Sequence, residues 1–216
     1  MTYYHIDKSG LVEQNLMQPS GNSSKYMIIG KETINSFPYG FMTVEKERLV
    51  PKLIENNIHQ LISSFFKNRS IENIDKIINE LSLNISIKSD IYIQRVLREI
   101  IFELERINNF PIKPSRLSCV YLIDNNNDIQ LWKDMLGING NEYTFYEFEP
   151  IEPSKFKIGD FNIKELKHKA DAKWLEIGVD NINKIKQNAI QYWKGNLTKS
   201  PLNEILYYGI LKCKTE

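Results

Sequence analysis

Apolar residues recur at three- and four-residue intervals from Leu49 to Phe66, from Ile71 to Leu81 and from Ile93 to Ile107. Each set marks one face of an amphipathic helix. Pro51 falls in the first turn of the first helix, where its missing N–H is no loss. The second helix is predicted to start after Ser70 and the third around Ser89-Asp90, with Asn108-Asn109 and Pro111 ending the third. Residues 45–109 therefore read as a helical hairpin or three-helix unit. Outside this block the pattern shortens. Tyr3 to Ile6 favours a strand that Lys8-Ser9-Gly10 turns, and Leu117 to Ile123 is a continuous apolar run suited to a central strand. Tyr143 to Phe148 alternates as a strand until Glu149-Pro150, and short strands are expected around Phe156 and Phe161. Glu204 to Lys214 reads as a final strand or strand pair. Two further helices are predicted, a short one through Ile129, Trp132, Met135 and Leu136 that Gly137 ends, and one from Ile182 to Trp193. Strands flank a helical block without regular alternation, which predicts an α+β fold. The stretches 18–24 and 37–41 read as loops, the second aromatic-rich.

Composition bounds this picture. The 216 residues suffice for one domain with a substantial core that needs no disulfide or metal. Cys119 and Cys213 sit in apolar stretches and read as buried free thiols of a reducing compartment. The start carries no basic-then-apolar pattern of a signal peptide, and no apolar run approaches the roughly 20 residues that span a bilayer. A cytoplasmic protein without membrane attachment is expected. A net charge of +1 gives no general reason for nucleic-acid binding and leaves local basic patches open. The run Lys164, Lys167, His168, Lys169 and Lys173 reads first as a solvated face. Glu147 and Glu149 share one face of an alternating strand, again best read as solvated.

The chain has no glycine-rich dinucleotide fingerprint, no phosphate-binding loop and no nucleophile elbow. Three scattered histidines and two cysteines show no metal-ligand spacing, so no metal site is expected. What stands out instead is one chemically capable residue in each of three distant strand segments: His5 in Tyr4-His5-Ile6-Asp7, Tyr121 in Val120-Tyr121-Leu122-Ile123, and Glu204 in Glu204-Ile205-Leu206-Tyr207-Tyr208-Gly209.

These segments, in this order, resemble the core of the ADP-ribosyltransferase superfamily, in the branch named for its histidine, tyrosine and glutamate. The Pro-Ser-Arg-Leu-Ser stretch at 114–118 is similar to that of bacterial relatives. The resemblance implies a split antiparallel sheet core spanning residues 1–216, with the helical block at 45–109 inserted as a subdomain. It implies NAD as substrate and Glu204 as the catalytic residue, stabilising the ribosyl cation formed when nicotinamide leaves. It gives His5 to the adenosine ribose, Tyr121 to the nicotinamide ring, Arg116 to the pyrophosphate, and Ser115 or Ser118 as an added hydroxyl. The acceptor of ADP-ribose would be a nucleic acid, a protein or a small molecule. A bacterial toxin or phage-conflict effector with a neutralising protein partner fits the same resemblance. One departure is Ile6, where many relatives place glycine after the histidine. The competing reading is a catalytically inactive binding module, with a degenerate nucleotide pocket and a partner-binding helical block.

Overall fold

The computed structural model describes residues 1–7, 12–13, 16–18, 23–29, 91–138, 143–152, 164–175 and 182–214, with side chains in the first helix described from Leu97 onward. Helices expected at 49–66 and 71–81, the turn at 8–10, the aromatic loop at 37–41 and the strands around Phe156 and Phe161 lie outside the described residues.

Strands β1 (Tyr3–Asp7), β2 (Leu16–Met17), β3 (Tyr26–Ile28), β5 (Thr144–Ile151) and β8 (Ile210–Cys213) form one antiparallel sheet in the order β1-β5-β8-β3-β2. Strands β4 (Val120–Leu122), β6 (Leu166–Asp171) and β7 (Asn203–Tyr208) form a second antiparallel sheet with β7 in the middle. The α-helices among the described residues are α1 (Ile91–Asn109), α2 (Ile129–Leu136) and α3 (Ile182–Lys194). The fold is α+β.

Period-two alternation along β7 sorts its side chains between two cores. Ile205 and Tyr207 pack with Tyr3, Met27, Phe148 and Leu211 of the larger sheet. Leu206 points the other way, into Leu97, Phe102, Ala189 and Trp193 of α1 and α3. The small sheet is thus a middle layer between the larger sheet and the helices. Trp193 Nε1 donates to the Phe102 carbonyl at 2.7 Å, fixing α3 against α1 with its indole N–H satisfied. The third helix of the block expected at 45–109 is accordingly part of this core.

Among the described residues, the backbone joins the two sheets at two places. Tyr4 and Ile123 exchange backbone hydrogen bonds of 2.9 and 2.8 Å. The chain also passes from β7 into β8 through Gly209, at φ +152°, where a Cβ would lie 2.9 Å from Tyr207 Oη. Gly209→Ala is expected to lose about 1–3 kcal/mol through backbone strain and crowding, read as a lower urea midpoint. An unchanged midpoint would show that the junction relaxes freely.

Three elements depart from the sequence reading. Residues 116–118 form a 3-10 turn capped by Ser115, whose Oγ accepts from Leu117 N at 3.1 Å, so β4 is short. It is also an edge strand, not a central one; its run is apolar because Val120 and Leu122 face one core and Cys119 the other. Strand β5 runs through Pro150 to Ile151, because β1 pairing stops at Phe148 and leaves an edge where proline is tolerated. The lysine-rich run is strand β6: Lys167 and Lys169 are exposed, with Lys167 Nζ donating to the Tyr3 hydroxyl, while His168 and Ala170 are buried. Lys169 pairs with Asp124 at 2.7 Å. Both cysteines are buried and neither forms a disulfide. Among the described residues, no helix is long and apolar enough to cross a membrane.

Candidate functional site

The polar face of α1 builds the site's foundation. Glu103 accepts Arg106 at 2.9 and 3.1 Å and the Ser115 hydroxyl at 2.8 Å, while Arg106 Nη1 donates to the Lys113 carbonyl at 3.2 Å. This clamps the segment 110–115 to the helix and delivers Arg116 to a fixed place. There Arg116 Nε donates to Glu99 Oε2 at 3.0 Å, and Nη1 donates to Glu204 Oε1 at 2.6 Å and Tyr192 Oη at 2.5 Å. The guanidinium lies 5.1 Å from the ring centroids of both Tyr121 and Tyr192, within cation–π range.

The electrostatics follow from burial and pairing. Burial opposes the Arg116 charge, but the surrounding acceptors, Glu99 first, hold its pKa well above the ordinary value. Burial likewise opposes the charge of Glu99, yet Arg116 and Arg98 keep it below the usual carboxylate range. The phenols of Tyr121 and Tyr192 are raised, chiefly by burial, and so remain protonated donors. Tyr192 donates to Glu204 Oε1 at 2.5 Å, and Tyr121 donates to the Arg116 carbonyl at 2.6 Å. Both protein contacts to Glu204 thus fall on Oε1. Oε2 carries no hydrogen bond from the described residues.

Glu204 is positioned from a second direction. Asp171, fully buried, accepts Leu202 N at 2.9 Å, Thr198 N and Oγ1 at 2.7 Å, and Lys173 N at 2.9 Å. Burial works against its charge, but these donors, Thr198 first, hold it below the ordinary value. The loop 198–202 that leads into β7 is therefore pinned. Trp132 Nε1 of α2 donates to the Asn203 carbonyl at 3.0 Å, fixing the neighbouring peptide.

Over this floor lies a cavity of about 310 Å³, near the lower end of ligand-pocket sizes. His5, Arg116, Tyr121 and Glu204 all line it, with Glu99, Trp132 and Met135 among the other walls. His5 Nδ1 donates to the Tyr121 carbonyl at 2.7 Å, which leaves Nε2 as the acceptor of the neutral ring. Burial lowers its pKa below 6.5 against the opposing pull of that carbonyl and Asp7.

The cavity unites four of the six residues expected from the sequence. Ser115 and Ser118 do not reach it: both are buried, and the Ser115 hydroxyl is spent on Glu103 and the Leu117 N–H. Arg116 lines the cavity with its Nε and Nη1 already occupied by Glu99, Glu204 and Tyr192. Tyr121 lines the cavity, but any stacking partner must take the face opposite Arg116. Ile6, the departure after the histidine, lines the cavity as well. Sequence reasoning missed Glu99, Arg98, Tyr192 and Trp132. The one available signal was Glu99, Glu103 and Arg106 at helical spacing beside an apolar stripe.

His168 stands behind the site. Its Nε2 donates to the Tyr192 carbonyl at 3.0 Å, and Nδ1 accepts from Lys113 Nζ at 3.2 Å. Burial first, then Lys113, lowers its pKa from 6.5 to about 4. The unfolded chain therefore takes up this proton first as pH falls. The resulting stability is full above pH 6.5 and lost progressively down to about 4, a loss of about 3 kcal/mol for this group. Urea titrations at stepped pH should show the loss beginning near 6.5, and His168→Phe should flatten that upper part of the slope. A stability that begins to fall only below about 4.5, the ordinary carboxylate range, would refute the assignment.

The arrangement defines an α+β protein with a buried arginine–carboxylate–tyrosine cluster flooring a largely apolar cavity. Residues 3–215 match the family described as "Protein of unknown function (DUF2441)", and the chain belongs to that family. Nothing among curated proteins matches it.

Proposed function

We propose that this protein is an ADP-ribosyltransferase-like enzyme, its two sheets forming an ADP-ribosyltransferase-like core and its cavity taking the nicotinamide riboside half of NAD. One observation supports the reading above all: His5, Arg116, Tyr121 and Glu204, drawn from segments far apart in sequence, line one cavity. In this reading Glu204 Oε2 accepts the ribose 2′-hydroxyl and stabilises positive charge growing on C1′ as the C1′–N bond breaks. Nicotinamide departs with the bonding electron pair. A nucleophile of the acceptor then bonds to C1′ and gives up its proton. Arg116 and Tyr192 act through Glu204 by fixing Oε1, so they are positioning residues. The neutral Nε2 of His5 accepts a hydroxyl of the adenosine ribose. A toxin or conflict-effector role, with a neutralising protein partner, rests on resemblance alone.

The test is incubation of wild type and Glu204→Gln with labelled NAD and a cell lysate, followed by fractionation into protein, RNA, DNA and small molecules. Label transferred by wild type and lost in the variant is expected. No transfer and no NAD consumption by either protein would overturn the reading. A second reading has its own observation: Glu204 is only 3% exposed and salt-bridged to Arg116, as in a structural ion pair of an inactive binding module. That reading expects Glu204→Gln to leave partner binding unchanged.

A further inference from the structure

On the other side of the 3-10 turn formed by Ala172–Leu175 lies a second depression, of about 370 Å³. Lys173, Lys184 and Lys199 line it, with Trp174, Asn188 and Ser200. Three other exposed lysines are paired: Lys25 with Glu13, Lys169 with Asp124 and Lys214 with Glu149. Among the described residues, the ammonium groups of Lys173, Lys184 and Lys199 have no carboxylate partner and no carboxylate lines the depression. Basic and acidic residues nearly balance over the chain, 28 against 27, so this is a local concentration of positive charge. Trp174 is anchored by its Nε1 hydrogen bond to the Asn196 carbonyl at 2.7 Å, yet remains partly exposed. Cations for phosphates beside a fixed aromatic ring are the two elements of single-strand recognition.

The depression also adjoins the cavity through two stretches of chain. Lys173 and Trp174 line the depression while Leu175, the next residue, lines the cavity. Lys199 and Ser200 line the depression while Glu204 lines the cavity. We propose that this depression binds single-stranded nucleic acid, whose phosphates contact Lys173, Lys184 and Lys199 and whose bases stack on Trp174, which makes nucleic acid the acceptor. The acceptor role rests on the ADP-ribose transfer proposed above; the binding does not.

The test is fluorescence anisotropy without NAD, using labelled single-stranded RNA and DNA of about a dozen nucleotides, the span of a single-strand site. Wild type and Glu204→Gln are expected to bind alike. Lys173→Ala/Lys184→Ala/Lys199→Ala, three exposed changes that leave the core untouched, should reduce the salt slope by about 2. That is an about 20-fold smaller fall in affinity between about 50 and 200 mM salt. An inorganic polyphosphate of equal charge should compete less well than the oligonucleotide, because it offers nothing to Trp174. Absent wild-type binding, an unchanged slope in the triple variant, or equal competition by polyphosphate would each overturn the proposal. Binding without any label transfer would overturn the transfer reading and leave this surface standing. Transfer to protein or small molecules without oligonucleotide binding would do the reverse.

Discussion

Replacing Arg116 by methionine is expected to destabilise the fold by about 3–5 kcal/mol, the range for removing one partner of a buried ion pair. The reason is asymmetry. Arg116 serves two buried carboxylates and packs beside two tyrosines. Glu99 would keep Arg98, which donates to it at 2.8 Å. Glu204 would keep only the Tyr192 hydroxyl, too little to hold a buried negative charge. Urea denaturation measures the loss, and a cycle with Glu204→Gln apportions it. If the loss comes from a stranded carboxylate, Arg116→Met/Glu204→Gln should be less destabilised than the sum of the two single variants. Strict additivity would place the cost in lost packing alone. Arg116→Lys is expected to recover only part of the stability, because an ammonium cannot reproduce the planar fork that reaches Glu99 and Glu204 together.

For Glu204→Gln the expected effect is on rate. The side chain keeps its shape and one acceptor oxygen for Arg116 and Tyr192, so the protein should stay folded. In the proposed transfer reaction it would lose the charge opposite the ribosyl cation, and removing such a stabilising group lowers kcat by roughly 10²–10³-fold. The interaction strengthens as charge develops, so kcat should fall with KM nearly unchanged. A rise in KM with kcat preserved would make Glu204 a binding residue. Circular dichroism and the urea midpoint, measured on the same samples, separate lost chemistry from lost structure.

The local elements were legible where spacing and stop signals agreed. Helix α1 ends at Asn109 beside Pro111 as its pattern demands, and α2 ends at Gly137 in the left-handed conformation that glycine adopts freely. Strand β6 was hidden because lysines stand at alternate positions and obscure the buried His168 and Ala170 between them. The site was half legible. His5, Tyr121 and Glu204 each stood out as a polar group among apolar neighbours, and Arg116 lay just ahead of one of those segments. Their cluster partners did not, since Arg116 reaches Tyr192 across 76 positions and Glu204 across 88. Nothing local marks a helical glutamate such as Glu99 as buried; only its partner's position decides that. Ser115 serves the 3-10 cap for the related reason that a hydroxyl beside Arg116 is as useful to a cap as to a phosphate.

The placement of β7 and β8 has a consequence for biosynthesis. β7 is the middle strand of the small sheet, and β8 separates β5 from β3 in the larger one. These two come last in chain order among the described strands, and both sheets assemble around them. Until residues 203–213 have left the ribosome, β1 and β5 have no link to β3, β4 and β6 have no shared partner, and the cavity lacks Glu204. A nascent chain of this protein, or a prematurely terminated one, therefore holds neither a finished core nor a working site, and whatever chemistry the cavity performs begins only once translation has passed β8.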